Sequence, residues 1–314
     1  MSPSQSSISR FFKNADEQEI KKLYLEKLRE KEERESAECA QKQLSLKALP
    51  HYAIDGKSRG GCVSELTGRT EIDLTIFNVE TRTVIGLEVI PDKEGEATSA
   101  QKIFKDYGKQ LPRGILTADA GFTSPKLIVE LRKLDFEYII GLKGNAGKVF
   151  EIVEKYDWSR CEYSATTDEK GHGREEKRKI RVLPISAFPN RTFSKYSDCA
   201  YIICIDSFRT LNGVTSIEKR FYIASKGLKG YKPEDFLSRI RAHWIQENGL
   251  HWCKDAILGE DNLPKHSHRS SRLLGFLKSI VVSIGYEFFR SVQKFKDNMV
   301  ANPKKMMEQI LFPS

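Results

Sequence analysis

The chain has 314 residues, of which 39% are hydrophobic and 30% are charged, and its formal net charge is +9 with a pI of about 9.1. This length suits one large domain with an insertion, or two domains, and the basic excess suits a polyanionic partner. No apolar run is long enough to cross a membrane, and the N-terminus lacks the apolar core of a signal peptide. The six cysteines form no Cys-x-x-Cys pair. We therefore expect free thiols and an intracellular protein without membrane contact, nuclear in a eukaryote and otherwise in the cytoplasm or nucleoid.

The first fifty residues contain two predicted segments. Residues 1–14 are Ser-rich and predict a disordered tail, and residues 15–50 predict a solvated, polar helical arm, because Lys and Glu alternate there at helix-pair spacings. The tail fits the pattern Q-x-x-[ILM]-x-x-[FY]-[FY] through Gln5, Ile8, Phe11 and Phe12. This pattern looks like a PCNA-interacting peptide, in which one tight turn presents the three apolar side chains as a plug. It predicts a PCNA-type sliding clamp as a partner, and hence a eukaryotic or archaeal host.

The pattern changes from polar helix to alternating strands at residue 51. Three strands are predicted at 52–55, 72–79 and 83–90, with a turn near 56–70, then a helix at 98–111, a buried strand at 114–118, a helix opened by Ser124-Pro125 and a buried strand at 138–142. Residues 155–229 hold several β-type runs. A helical region follows from Pro233 to about 256, and an apolar helix is predicted over 271–296.

This order of elements predicts an α/β fold with a ribonuclease H-like mixed sheet flanked by helices. In this interpretation the ribonuclease H-like domain comprises 51–154 and 230–296, and a β-rich insertion at 155–229 precedes the last acidic helix. The remainder, 297–314, is a C-terminal tail.

Three acids stand out because of where they fall in this pattern. Asp55 and Asp119 each follow an apolar strand, and Glu247 lies on an amphipathic helical stretch. Each acid taken alone is more often a turn or surface residue. Together they are typical of a site that holds two Mg²⁺ ions, with Mn²⁺ as a possible substitute, about 4 Å apart for phosphoryl transfer. Gly56 and Gly121 would allow close approach of a phosphate.

The helical stretch around Glu247 carries further candidate groups. His243, Glu247 and His251 recur at steps of four and would share one helix face. A zinc site is disfavoured, because the compact His-Glu-x-x-His arrangement is missing. The histidines and Asn248 would instead pack beside the acid or touch phosphate, and Lys254 would meet a DNA phosphate or be solvated. We expect Trp244 and Trp252 in the core, with stacking on an unpaired base as the alternative.

A basic turn and strand in the insertion provides a second set of candidate DNA contacts. Arg174, Lys177, Arg178 and Lys179 could follow a DNA backbone, although such a charge run is usually solvated surface.

Several motifs in order along the chain resemble the DDE transposases of bacterial insertion sequences, most closely the ISAs-type group. The matching segments are 53–57, 117–122, 138–145, 172–174, 220–225 and 241–252, followed by Asp255 and 259–261. The resemblance implies that Asp55, Asp119 and Glu247 form the catalytic, metal-binding triad. It also implies that Lys254 matches the lysine that follows the glutamate in related groups, and that Lys57 and Lys143 within the motifs contact DNA. Related groups carry Tyr and Arg where this chain has Ile240 and His243, so that part of the signature is not transferred.

The function that this resemblance implies is Mg²⁺-dependent DNA strand cleavage and strand transfer. The expected partners are double-stranded DNA, as transposon ends and as target, and further copies of the chain in a dimer or higher assembly. The alternatives are a clamp-tethered nuclease that joins nothing, and a non-catalytic DNA-binding descendant of a transposase. The region ahead of Asp55 is shorter than such transposases usually have, which bears on whether the chain recognises transposon ends by itself.

Overall fold

The computed structural model describes residues 7, 10–11, 14–16, 18–24, 26–27, 30, 49–63, 70–90, 95–171, 174–260 and 268–311. The chain is divided into two compact units. The first unit comprises 1–34, 56–94 and 245–314, and the second comprises 35–55 and 95–244. The strand that begins at His51 contributes its first residues to the second unit and its later residues to the first.

The strands and helices of the described chain have these bounds. The strands are β1 (His51–Val63), β2 (Thr70–Asn78), β3 (Thr83–Ile90), β4 (Ile115–Ala118), β5 (Glu137–Leu142), β6 (Ala165–Gly171), β7 (Arg174–Pro184), β8 (Cys199–Leu211) and β9 (Val214–Ser225). The helices are α1 (Glu96–Tyr107), α2 (Pro125–Lys133), α3 (Lys148–Glu154), α4 (Pro233–Ala242), α5 (His268–Phe289), α6 (Val292–Ala301) and α7 (Pro303–Leu311). Two π-helical turns, Glu247–His251 and Cys253–Ile257, lie between α4 and α5.

The second unit is built on a mixed sheet with the strand order β1-β4-β5-β9-β8-β7-β6. β1, β4 and β5 are parallel, and α2 makes the crossover that two neighbouring parallel strands require. β9, β8, β7 and β6 continue the sheet in antiparallel pairs. The predicted α/β fold with a mixed sheet and flanking helices is therefore confirmed, and the predicted insertion at 155–229 forms strands of this same sheet.

The core of the second unit lies between the sheet and α4. Ile115, Ile139 and Ile203 on the strands pack with Phe236 and Ile240 of the helix. Each of these side chains is nearly or fully buried, which contributes roughly 1.5–3 kcal/mol per residue. The alternation of β-branched residues that predicted the strands also supplies this core.

The first unit contains the later part of β1, the antiparallel pair β2 and β3, and the C-terminal helices. Its core joins Phe77 and Val84 of the strands to Leu250 of the π-helical region and Phe276 of α5. The predicted single helix over 271–296 is wrong. α5 ends at Phe289, Arg290 takes a positive φ of 51°, and Ser291 caps α6 through its hydroxyl.

The N-terminal residues of the first unit are more tightly packed than a solvated arm. Residues 18–24 are helical. The Tyr24 hydroxyl donates to the backbone oxygen of Val84 at 2.8 Å and lies 3.0 Å from the Ser283 hydroxyl, and the side chain of Lys21 is 5% exposed. The prediction of a solvated arm is therefore wrong for this stretch.

Candidate active site

Asp55 and Asp119 stand at the same level of two adjacent parallel strands. The β1–β4 pairing ends with Ile54 opposite Ala118, and each aspartate directly follows one of these partners. Neighbouring strands lie about 4.8 Å apart, so the register brings the two acids side by side at the carboxyl ends of the paired segments. The predicted strand end at Asp55 is wrong, because β1 continues to Val63. Only its pairing with β4 stops there.

The backbone that follows Asp119 is held tightly. The Asp119 carboxylate is exposed and caps the turn at Ala120–Phe122, where its Oδ1 accepts from the Gly121 N–H at 2.7 Å. Asn145 donates to the backbone oxygen of Ala120. A Cβ on Gly141 of β5 would lie 2.8 Å from the Ala120 nitrogen. The absence of a side chain at Gly141 therefore lets the Asp119–Ala120 peptide sit directly on β5.

A further carboxylate, Glu96, adjoins Asp119. A Cβ on Gly121 would lie 3.0 Å from both Glu96 Oε2 and Asp119 Oδ1, so the two carboxylates approach this glycine together. Burial first, and then the charge of Asp119, raise the pKa of Glu96. Sequence reasoning missed Glu96, because it is the first residue of α1 and an acid in a first helical turn is ordinary.

Two histidines lie within hydrogen-bond distance of the hydroxyl of Thr117, two residues before Asp119 on β4. His51 Nε2 lies 2.8 Å from Thr117 Oγ1, and His243 Nδ1 lies 3.1 Å from the same oxygen. Burial lowers the pKa of His243 to about 4 and holds the pKa of His51 well below its ordinary value. Both rings are neutral near pH 7. The predicted contact of His243 with a DNA phosphate is therefore not supported.

Glu247 begins a π-helical turn, in which the Trp252 N–H donates to the Glu247 carbonyl. Its carboxylate and Asn248 are exposed, whereas His251 is buried. The prediction that Glu247 and His251 share one face is wrong, because a π turn does not keep the α-helical step of four. A buried His251 is not placed for the predicted contact with DNA phosphate.

Lys57 and Lys254 belong to a buried ionic network in the first unit. The Lys57 ammonium lies 2.8 Å from Asp255 and 3.4 Å from Glu260. The Lys254 ammonium lies 3.2 Å from both Asp73 and Glu260, and its side chain is 1% exposed. The predicted DNA contacts of these two lysines are wrong in this structure. The network instead fixes the π-helical region to β1 and β2.

The remaining predicted DNA contacts differ in exposure. Lys143 and Lys177 are exposed, and Lys177 lies 3.5 Å from Asp168. Arg178 pairs with Glu169 and Glu176, and its side chain is 22% exposed. The Arg174 side chain lies outside the described residues. Lys143 and Lys177 are thus the lysines of the predicted set that the structure places at the surface.

Trp244 and Trp252 are 46% and 57% exposed. The prediction that they are core residues is therefore wrong.

Of the predicted clamp-binding motif, Gln5, Ile8 and Phe12 lie outside the described residues. Phe11 is described and is 48% exposed. The sliding clamp remains a prediction from the sequence. Of the six cysteines, the four that are described, Cys161, Cys199, Cys204 and Cys253, are free thiols.

The carboxylates Asp55, Asp119 and Glu247 are hard oxygen donors, which is the ligand chemistry that Mg²⁺ selects. Asp119 and Glu247 present their carboxylates to solvent, and Asp55 is half-buried. Within the described ranges, no three His, Cys, Asp or Glu side chains form a group that could hold a metal ion. The donor types fit the metal and the strand register makes neighbours of the two aspartates, but the described residues form no complete group of three ligands.

Comparison with known proteins identifies the family. Residues 74–284 match the family described as "Transposase DDE domain". This is more than half of the chain, and the chain belongs to that family. The match includes Asp119 and Glu247 and begins after Asp55.

The curated relatives are bacterial. The chain is 24% identical over 292 residues to "Putative transposase YncI" of Escherichia coli O157:H7, covering 90% of this chain and 70% of that protein. It is 27% identical over 245 residues to "H repeat-associated putative transposase YhhI" and to "Putative protein YbfL", both of E. coli K12, covering 74% of this chain and 63% of each relative.

Among solved structures, a synaptic complex of piggyBac transposase with hairpin DNA aligns with a TM-score of 0.46 and 11% identity. The alignment covers 84% of this chain and 54% of that one. In the described residues, no helix combines the length and apolar character that a membrane crossing needs.

Proposed function

We propose that the chain is a DNA transposase of the insertion-sequence type, and within it of the ISAs-type group. It would cut a DNA strand at the end of the element and join that end to target DNA. The observation that carries the proposal is the β1–β4 register, which sets Asp55 beside Asp119 in a member of the transposase DDE domain family. The ISAs-type assignment is supported by the motifs from residue 53 to residue 261.

The proposed reaction has two steps of the same kind. Water attacks a phosphodiester at the end of the element, so that a phosphorus–oxygen bond forms and the bond to the 3′ oxygen breaks, leaving a 3′-hydroxyl. That hydroxyl then attacks a target phosphodiester and displaces the 3′ oxygen of the target strand. Two Mg²⁺ ions, when bound, would activate the attacking oxygen and stabilise the leaving oxygen.

The residues of the chain supply the positioning for these steps. Asp55, Asp119 and Glu247 would hold the ions, which requires the three carboxylates to meet around them. The Gly121 N–H fixes one oxygen of Asp119. Lys143 follows β5 directly and is exposed, which supports the proposal that it neutralises a phosphate of the bound strand.

The test is Mg²⁺-dependent cleavage of a plasmid that carries the DNA flanking the gene. We expect Asp119→Asn to lose roughly 1,000-fold in rate, because a metal carboxylate supports several kcal/mol of transition-state stabilisation and each 1.36 kcal/mol is tenfold. Calorimetric titration with Mn²⁺ should show weakened binding in the same variant. Asp106→Asn changes an exposed aspartate of α1 in the same unit and should cleave like the wild type.

Full cleavage by Asp119→Asn would contradict the proposal. A strand-transfer assay with a precut 3′-hydroxyl end separates a transposase from a nuclease, since the nuclease would cut the plasmid without joining the precut end. A wild-type protein that binds DNA but shows no cleavage with Mg²⁺ or Mn²⁺ would indicate the non-catalytic alternative.

A further inference from the structure

Gln246 is a polar side chain that is buried against β2, directly before Glu247. It is 1% exposed, and both partners belong to the first unit. Its Nε2 donates to the backbone oxygen of Thr75 at 3.1 Å and to the Thr75 hydroxyl at 2.7 Å. Because a backbone oxygen can only accept, the first of these bonds fixes which end of the amide is the nitrogen. The amide therefore ties the residue before Glu247 to β2.

A second buried contact ties the same part of the chain to β2. The Lys254 ammonium lies 3.2 Å from the Asp73 carboxylate, and the two side chains are 1% and 0% exposed. Asp73 and Thr75 are two residues apart on β2, so their side chains lie on the same face of the strand. The segment that carries Glu247 is therefore held against one face of β2 both before and after this acid.

The other end of the Gln246 amide is not optimised for stability. Its Oε1 is buried and, among the residues that the structure describes, has no hydrogen-bond donor. A buried carbonyl oxygen without a donor costs free energy, and an apolar side chain of similar shape would avoid that cost. Departures of this kind are expected at functional sites. The amide is therefore better explained by where it holds the chain than by the stability it adds.

We propose that Gln246 is a positioning residue, which fixes the orientation of Glu247 through its two hydrogen bonds to Thr75. The role of Glu247 as a metal ligand rests on the proposed function. The Glu247 carboxylate is exposed, so its direction depends on the backbone that carries it, and that backbone is anchored one residue away. Groups that bind a metal or react have to be held within about 0.5 Å of their productive geometry.

The principal variant is Gln246→Met, which keeps an unbranched side chain of similar length and removes the amide. In the plasmid-cleavage assay with Mg²⁺, we expect kcat to fall about tenfold and the KM for DNA to change less than about twofold, because the residue acts on a metal ligand and not on DNA. The loss should be smaller with Mn²⁺, since Mg²⁺ demands near-ideal octahedral geometry.

Hydrogen exchange of the metal-free protein provides a readout that does not depend on cleavage. The Trp252 N–H donates to the Glu247 carbonyl, so its exchange rate reports on the π-helical turn that Glu247 begins. Gln246→Met should speed the exchange of this amide about tenfold and should leave the amides of α6 unchanged. Equal acceleration at both places would indicate a loss of global stability and would overturn the positioning role.

Gln293→Met is the matched control. Gln293 is an exposed glutamine of the same unit, and its Nε2 donates to Asp297 at 2.7 Å. This variant removes the same amide from a place remote in sequence from Glu247, and it should leave both the cleavage rate and the exchange of the Trp252 amide unchanged.

Variants of Thr75 test the same contact from β2 and do not require Gln246→Met to fold. Thr75→Val removes the hydroxyl and keeps the backbone oxygen, so it should lower kcat less than Gln246→Met does. Thr75→Ser keeps the hydroxyl and should cleave like the wild type. In the double variant with Gln246→Met and Thr75→Val, the two losses should be less than additive, because they remove one shared interaction.

A folded Gln246→Met variant with the kcat of the wild type would overturn the positioning role, and so would a loss confined to the KM for DNA or fully additive losses in the double variant. If Asp119→Asn abolishes cleavage and Gln246→Met does not, the proposed function stands and the positioning role fails. If Asp119→Asn cleaves fully, the proposed function fails, and hydrogen exchange still decides whether Gln246 holds the turn.

Discussion

The Lys254 ammonium lies 3.2 Å from the carboxylates of Asp73 and Glu260, all three being almost fully buried. Lys177, on β7, is the opposite case, with a side chain that is 47% exposed and 3.5 Å from Asp168. Both were predicted as phosphate contacts. A buried ion pair is costly to break because the remaining charge cannot be rehydrated, whereas an exposed pair contributes little. Lys254 therefore stabilises the fold, whereas Lys177 is accessible to a ligand.

We predict that Lys254→Met lowers the free energy of unfolding by about 3–5 kcal/mol, because it removes a buried ammonium from Asp73 and leaves Glu260 with Lys57 alone of its two lysine partners. Lys177→Met should change it by less than about 0.5 kcal/mol and should instead weaken DNA binding and reduce its salt dependence. Urea unfolding and DNA titrations at several salt concentrations measure both quantities. A stable Lys254→Met variant with weakened DNA binding would restore the phosphate-contact assignment.

At the scale of elements, two features place the proposed catalytic carboxylates. The parallel register of β1 and β4 sets Asp55 beside Asp119, and the π-helical turns carry Glu247 and the lysine of the buried network. Such π turns are rare and are frequent at functional sites. In this chain the widened turns expose Glu247 while burying Leu250, His251, Cys253 and Lys254.

We predict that Gly141→Ala disturbs the Asp119 loop, since its Cβ would lie 2.8 Å from the Ala120 backbone nitrogen, which no flexible side chain can relieve. The variant should lose about 1–3 kcal/mol of stability and should cleave DNA more slowly even under conditions where it is fully folded. Gly144→Ala is the control, because among the described residues, its two chain neighbours aside, no atom lies within 4 Å of its Cβ position. Equal activity of the two variants would show that the loop position does not matter for cleavage.

At the scale of the whole molecule, the free energy of unfolding depends on pH through histidines that are buried in their neutral form. His51 and His243 are both neutral near pH 7 and both contact Thr117. An unfolded chain would protonate these rings near pH 6.5, before the folded chain does. Acidification therefore favours the unfolded state through these residues as well as through the carboxylates.

We predict that the free energy of unfolding falls as the pH drops from about 7 toward 4, with His243 contributing about 3 kcal/mol of that fall. The sign follows because the pKa of His243 is about 4 in the folded chain, below its ordinary value of 6.5, so the unfolded chain binds the proton first. The variant His243→Gln, compared with the wild type by urea unfolding across this pH range, should show a shallower fall. Identical slopes for the two proteins would contradict the prediction.

The sequence by itself determined the order of strands and helices, the α/β class with a mixed sheet, and the two aspartates after apolar strands. Hydrophobic alternation, turn residues and family motifs are local signals, and they locate β2 to β5 within a few residues of their bounds. Only the tertiary structure decided which polar residues are buried. Lys57, Lys254 and His251 look like surface residues in the sequence, and Trp244 looks like a core residue. Burial depends on what the rest of the chain places around a side chain, so it is a property of the assembled contacts and not of any short segment.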